Sequence, residues 1–363
     1  MTGAVFIDLR KAFDTMEHKV LLSKLPLKGI VDRELDWITN YLSDRYQYVH
    51  YDGVKSDLEL VKYGIPQGSI LGPLLFLVQI NDLVKSIKHC NIQMYADDTV
   101  IYTSNSNISV IEQTLTSEMK NVSKWLDKNR LIINLKKGKT ESLLFGTAKR
   151  LSSKDPLQVY MNEQLINVAD GYKYLGVWLE PTLNMSEHLR KVLGKANARL
   201  KLLSHVRDSL SVFAAKAVYN SFILPTMLYC STPVVKVSDT MSKRFENLQN
   251  RAQKIIYGTQ ENNTCKVISI NNQKKMKVVI QMFKCRQGTC IPALRTYADK
   301  INHRHNTRNN KSLLRLPLVK TETAKRSLYF QGPYCFNELP RDIRSQTSIV
   351  IFKSKLKKYF LQS

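Results

Sequence analysis

The segment MYADDTVIY sets two adjacent carboxylates, Asp97 and Asp98, between short apolar runs that include Met94, Tyr95, Val100 and Ile101. Asp-Asp is ordinary turn chemistry, because Asp side chains bond the local backbone. A third acid changes the reading. Asp8 closes the run AVFID, again where an apolar stretch ends. Three acids at strand ends of a basic chain suit hard divalent cations, which take oxygen ligands. Mg²⁺ uses one or two carboxylates and completes its shell with water and substrate phosphate oxygens. Two such ions, about 3.5–4 Å apart, can activate a hydroxyl and stabilise the leaving oxygen of an in-line phosphoryl transfer. A metal site on Asp8, Asp97 and Asp98 is the expectation.

The loop YGIPQGSILGPLLF is the second candidate. It is not a P-loop, because no GK[ST] follows its glycines. Gly64, Gly68 and Gly72 allow close backbone approach, Pro66 stiffens the turn, and Gln67 offers donors and acceptors. Such a loop can lie against a nucleotide or a template strand. A tight strand-to-helix connection would use the same residues. Two weaker features read as surface: His303 and His305 in NHRHN lack partners at zinc spacing. The run QKKMK at 273–277 reads as a solvated basic patch or an import signal.

These side chains need elements to hold them. Residues 4–9 read as a buried strand. Residues 20–25 and 33–42 show helical spacing, with Leu35, Ile38, Tyr41 and Leu42 on one face. Strands at 46–51 and 58–63 flank Asp52-Gly53, a hairpin signal. Residues 74–87 read as a mostly buried helix and 110–128 as an amphipathic one, with strands at 92–95 and 99–103 around the acidic turn. Strands are expected at 132–135 and 142–145 about the basic turn KKGKT, then at 157–161, 165–168 and 172–179. Helices follow at 185–207, at 211–229 with Pro225 as a kink or break, and at 240–257. A mixed sheet, then helices, then a basic tail is an α+β plan.

Apolar residues make up 43% of the 363, enough to bury a core and too many for a disordered tail. Lys and Arg number 55 against 30 Asp and Glu, a net of +25. Residues 1–150 hold 20 basic and 17 acidic side chains, whereas residues 151–363 hold 35 and 13. A near-neutral front and a basic back point to a polyanion held mainly by the second half. Six cysteines without a CxxC pair argue against a disulfide scaffold and a zinc ribbon. The most apolar run, Ile70 to Val78, is broken by Gly72 and Pro73 and falls short of the roughly 20 residues a membrane span needs. No signal-peptide pattern opens the chain. An intracellular protein of nucleus or cytoplasm is expected.

Taken in order, these segments resemble the reverse transcriptases of non-LTR retrotransposons, most closely the jockey-like branch. FIDLRKAFDTMEH is similar to the first palm motif, YGIPQGSILGPLLFLVQINDL to the second and MYADDTVIY to the third. LIINLKKGKTESLLFGT is similar to the fourth and YKYLGVWLE to the fifth. SLYFQGPYCFNELPRDIRS followed by FKSKLKKYF resembles the C-terminal segment of such reading frames. The resemblance implies a right-hand polymerase with a ferredoxin-like α+β palm over 1–181 and a helical thumb over 182–260. A basic C-terminal region over 261–363 follows, and the fingers are largely absent.

It also implies an activity: RNA-directed DNA polymerisation, in which a primer 3′-OH attacks the α-phosphate of a dNTP. Two Mg²⁺ ions, or Mn²⁺ in their place, would serve an RNA template and a DNA primer or target. Asp8, Asp97 and Asp98 match the metal-binding carboxylates, and Phe13 matches the steric gate against a ribose 2′-OH. Leu9, Lys11 and Ala12 match backbone that meets the triphosphate, while Gln67 and Gly68 match the loop at nucleotide and template. Lys139 matches the lysine proposed to protonate pyrophosphate, and Leu175 and Gly176 match the primer-grip turn. Asp14 is expected to pair structurally. The resemblance makes the chain N-terminally truncated, so the isolated protein is expected to bind primer–template but extend it at a negligible rate. Strand 4–9 and its neighbours are expected to expose an apolar patch at the palm. One rival is a relic of the same element that binds nucleic acid without polymerising. The other is a viral RNA-dependent RNA polymerase, against which Phe13 and the YADD box count.

Overall fold

Thr2–Ile7 is apolar on both faces, as a strand covered from two sides must be. In the computed structural model, which describes residues 1–153, 155–232, 237–258, 267–298 and 313–362, it is the middle strand, β1, of a five-stranded sheet. The others are β2 (Asn91–Tyr95), β3 (Asp98–Ser104), β4 (Glu141–Phe145) and β5 (Asn167–Val168), in the order β5-β4-β1-β3-β2. β1 is antiparallel to both neighbours, pairing Phe6 with Val100 and Val5 with Ser142; β5 joins parallel to β4.

Side chains alternate across β1, and each face has its own cover. Val5 and Ile7 join a core with Leu75 and Phe76 of helix α3 (Gly72–Ile80) and the apolar stripe of helix α4 (Ile108–Lys128). That stripe is Ile111, Leu115, Met119, Val122 and Leu126, recurring every three to four residues. Asn107 starts α4 by accepting the Ser109 N–H at 3.0 Å. Gly3 lets α4 descend onto β1, since a Cβ there would run into the Ile111 side chain. Ala4 and Phe6 pack on the opposite side with Val100, Leu143, Tyr172 and Tyr174. Residues Ala4 to Ile7 are at most 3% exposed. The apolar patch expected on this strand is therefore not there.

Helices α1 (His18–Lys24) and α2 (Asp32–Leu42) complete this core. Several elements differ from their sequence expectation. The helix expected over 74–87 is α-helical over Gly72–Ile80 and tightens to 3₁₀ over Asn81–Ser86. Residues 132–135 form no strand; a single bridge joins Ile133 to Leu9. The apolar run 172–179 folds back on itself, pairing Tyr172–Tyr174 with Val177–Leu179. Its turn residues Leu175 and Gly176 have φ of 46° and 79°, as a two-residue hairpin demands. The Asp52-Gly53 hairpin forms, with pairing limited to His50–Tyr51 on Val54–Lys55 and Tyr46–Gln47 on Glu59–Leu60.

Contacts divide the chain into two units, Met1–Leu183 and Asn184–Ser363. The second is built from helices α5 (Ser186–His205), α6 (Val212–Val218), α7 (Leu224–Leu228), α8 (Asp239–Tyr257), α9 (Ile270–Arg286), α10 (Leu328–Asn337) and α11 (Ile349–Gln362). Pro225 has no N–H to donate, and Tyr219–Ile223 just before it winds as a π-helix, the form the expected kink takes. One core joins Leu189, Leu200, Phe245 and Ile270; another joins Phe283, Phe336, Phe352 and Leu356. The basic tail thus carries a packed core of its own. QKKMK lies on α9, where Lys274 is buried with Nζ 3.7 Å from the Phe245 ring centre. Lys277 donates to the Leu228 carbonyl at 3.0 Å. Lys275 and Lys277 are exposed, so the reading of this run as a solvated patch holds for two of its three lysines and fails for Lys274. NHRHN lies outside the described residues. No helix among those described is long and apolar enough to cross a membrane.

Candidate active site

Ile7, the last residue of β1, pairs with Thr99, the second residue of β3. Antiparallel register therefore brings Asp8 and Asp98 to the same end of two neighbouring strands. Asp97 sits in the two-residue turn between Tyr95 and Asp98, with Ala96 at φ 52°. That positive φ is uncommon for alanine and marks a tight turn held by the pairing around it. Burial first, then the charges of Asp97 and Asp8, push the Asp98 carboxyl above its ordinary range. The three acids are electrostatic neighbours although the first lies 89 residues before the second in sequence.

Residues 132–140 fasten Asp8 in place. Asn134 donates its side-chain amide to Asp8 Oδ2 at 3.0 Å and its backbone N–H to the Asp8 carbonyl at 2.8 Å. The Asp8 N–H donates to Thr140 Oγ1 at 3.1 Å. Lys139 Nζ stands 3.7 Å from Asp8 Oδ1, and its side chain is 52% exposed. Tyr172 closes the floor, stacked on Phe6 at 4.2 Å between ring centres and donating its hydroxyl to the Lys139 carbonyl at 3.2 Å. Burial, with the charges of Asp8, Asp98 and Glu141, pushes the Tyr172 phenol up to about 12. Tyr174 is raised by burial and by Asp98. Sequence reasoning missed Asn134, Thr140 and Tyr172. The one available signal was a polar residue, Asn134, inside the apolar run LIINL.

The donor set fits a hard cation. Three like charges beside apolar rings, with the Lys139 ammonium 3.7 Å from Asp8, are a condition a divalent ion relieves. Among the described residues no three His, Cys, Asp or Glu side chains stand close enough together to hold a metal ion as they lie.

Loops 10–17 and 63–72 are stitched together beside these acids. Ile65 N–H donates to the Phe13 carbonyl at 3.0 Å, and Gly64 N–H to that of Met16 at 2.7 Å. Gly64 has φ 82°, and a Cβ there would meet the Asp14 carbonyl oxygen at 2.7 Å, so only glycine fits. Gln67 donates its amide to Asp14 Oδ1 at 2.6 Å, which gives Asp14 its structural partner. Phe13 stacks on buried Phe76 at 4.4 Å between ring centres. Leu9 and Ala12 are buried, Lys11 has φ 47° and Gly68 φ 83°. Leu175 and Gly176 form the hairpin turn next to Tyr174.

Residues 1–179 match the family described as reverse transcriptase (RNA-dependent DNA polymerase). Residues 1–179 form a reverse transcriptase domain. It is 29% identical over 235 residues to the RNA-directed DNA polymerase from mobile element jockey of Drosophila melanogaster, covering 62% of this chain and 25% of that one. The jockey polymerase of Drosophila funebris is 27% identical over 238 residues, with the same coverage of 62% and 25%. "Probable RNA-directed DNA polymerase from transposon BS" of Drosophila melanogaster is 28% identical over 270 residues, 70% of this chain and 29% of that one. These similarities group the reverse transcriptase domain with jockey-like non-LTR elements. The chain spans about a quarter of the length of the jockey relatives it matches. A telomerase structure from Candida albicans covers 76% of this chain and 47% of its own at 12% identity and a TM-score of 0.34, too remote to bear on the fold.

The second unit has a different surface. It holds 33 Lys and Arg against 9 Asp and Glu, whereas Met1–Leu183 holds 22 against 21. Between α5 and α8 runs a cleft of about 420 Å³ lined by Arg190, Asn197, Arg244, Asn247 and Arg251. Arg251 donates to Asn197 Oδ1 at 2.6 Å, and Arg190 makes a two-pronged pair with Glu187.

Proposed function

We propose that the protein is an RNA-directed DNA polymerase whose reaction joins a primer 3′-OH to the α-phosphate of a dNTP and releases pyrophosphate. The observation that carries this reading is the convergence of Asp8, Asp97 and Asp98 at one end of β1 and β3, in a domain of this family. Asp8, Asp97 and Asp98 would hold two Mg²⁺ ions, or Mn²⁺, which when bound activate the attacking hydroxyl and neutralise charge on the phosphoryl oxygens. Asn134 and Thr140 orient Asp8. Lys139, near enough to Asp8 to be drawn in and exposed enough to move, supplies a proton to the leaving pyrophosphate. The stitched loops give the nucleotide a wall: Phe13 beside the sugar, Gln67 and Gly68 beside base and template, and the backbone of Leu9, Lys11 and Ala12 beside the phosphates. Leu175 and Gly176 support the primer end.

An RNA template paired to a DNA primer is the partner this reading calls for. The arginine cleft between α5 and α8 suits its phosphate backbone, because Arg forks match phosphate oxygens and read no sequence. Residues 1–181 then act as palm, 182–260 as thumb, and 261–363 as a further basic surface.

The test is primer extension on an RNA template under single-turnover conditions, so that a slow step is still counted. In an active, full-length context, Asp97→Asn should remove incorporation by at least about a thousandfold, roughly 4 kcal/mol of barrier, while duplex binding stays intact. Equal extension by the variant and the original protein would overturn the assignment. Equal loss of duplex binding would show that the substitution had damaged the fold.

A further inference from the structure

Within the helical unit, away from the arginine cleft, a groove of about 480 Å³ opens between α6–α7, the start of α9 and the end of α11. Its volume lies within the roughly 300–1,000 Å³ typical of ligand sites. Leu228, Ile268, Met276 and Ile280 supply apolar walls, with Leu361 from the last turn of α11. Three lysines also line it, Lys216 from α6, Lys277 from α9 and Lys357 from α11, and no Asp or Glu does among the described residues. The exposed Lys277 donates its ammonium to the Leu228 carbonyl at 3.0 Å, and partial burial lowers it from its ordinary value.

Charge and shape together select the occupant. A nucleic-acid backbone would satisfy the lysines but leave the apolar walls bare. Among the described residues no aromatic ring lines the groove for a base to stack on. A single-headed amphiphile could cover the walls yet meet only part of a cationic set spread over three helices. A peptide carrying several carboxylates and interleaved apolar side chains meets both demands. Met276 adds a side chain that can adapt to such a guest. We propose that this groove is a docking site for an acidic, apolar peptide segment of a protein partner. It takes the apolar side chains into the groove and pairs the carboxylates with Lys216, Lys277 and Lys357. The proposal does not depend on polymerase activity.

A short fluorescein-labelled peptide of Leu and Glu in amphipathic helical order is the probe, read by fluorescence polarisation against the whole protein. Saturable binding that weakens with salt is expected. Peptides with Gln for Leu, or Lys for Glu, should bind at least about tenfold more weakly. The double variant Lys216→Gln/Lys357→Gln should lose about tenfold in affinity, and Lys277→Met should weaken binding similarly. Both should remain folded, and neither should lose as much affinity for primer–template as for the peptide, which separates this site from the polymerase surface. Equal binding of the Gln-for-Leu peptide would reduce the groove to a plain cationic patch and reject the proposal. Unchanged affinity in both lysine variants would reject it too. Binding of dodecanoate with no binding of the Leu-Glu peptide would assign the groove to a small amphiphile instead.

Discussion

Phe13 shows how a single side chain can carry selectivity once its ring is fixed. Stacking on Phe76 at 4.4 Å leaves the phenyl little freedom, and Ile65 pins the same residue's carbonyl from the neighbouring loop. A ring held beside the sugar excludes a 2′-hydroxyl by volume, whereas a deoxyribose fits. Phe13→Val should therefore admit ribonucleotides while changing deoxynucleotide incorporation little, as read by single-nucleotide extension with paired dNTP and rNTP. Continued rejection of ribonucleotides would put the gate elsewhere. The place of the acids at strand ends was legible from the apolar runs beside them, whereas Phe13 was singled out only by the family resemblance. Asn134 and Thr140 were not, because their meaning lies in contacts to Asp8 across 126 and 132 residues. Local pattern says nothing about which distant loop an amide will reach.

Helix α9 exposes the weakness of reading charge by runs. QKKMK looks like a solvated patch, yet helical geometry turns Lys274 inward while Lys275 stays exposed. Lys274 Nζ has no hydrogen-bond partner and lies over the Phe245 ring, and burial pushes it down from 10.5 to about 8. The folded value is below the unfolded one, so the unfolded chain binds more protons between these two pH values. The cost is fully present below about pH 8 and is relieved as pH rises toward 10.5. At 1.36 kcal/mol per unit this is about 3 kcal/mol at neutral pH. Lys274→Met should raise stability by up to about that amount at pH 7, with the gain shrinking between pH 8 and 10.5. Denaturant melts at several pH values read it directly, and a gain independent of pH would deny that Lys274 titrates low. Hairpin 172–179 misled the reading of apolar runs for a related reason. The turn at Leu175-Gly176 is hidden inside such a run, so only the family resemblance placed a turn there, and two positive φ angles form it.

Over the whole molecule, the division of charge follows the division of the fold. Nearly all of the net +25 belongs to Asn184–Ser363 and almost none to the unit that bears the acids. On the proposed function, the nearly neutral unit gathers cations at Asp8, Asp97 and Asp98 while the basic unit holds the polyanion. That asymmetry was countable from composition alone. The α5–α8 cleft was not, because Arg190, Arg244 and Arg251 meet only when the two helices pack. Phosphate neutralisation makes log K fall with log salt by about 0.9 per contact on B-form DNA. Replacing these three arginines by Gln should flatten the slope for primer–template by roughly two to three. A slope unchanged by the triple variant would take the cleft off the nucleic-acid path.

The central claim is that Asp8, Asp97 and Asp98 form one metal site for nucleotidyl transfer. Electron paramagnetic resonance of added Mn²⁺ tests it most directly, with a primer–template blocked at its 3′ end and the next dNTP present. After subtraction of the ions held by nucleic acid and nucleotide alone, about two Mn²⁺ per chain should remain, as a two-metal site requires. Asp8→Asn and Asp97→Asn should each lower that number while leaving primer–template binding intact. The same number of bound ions in both variants as in the original protein would contradict the account.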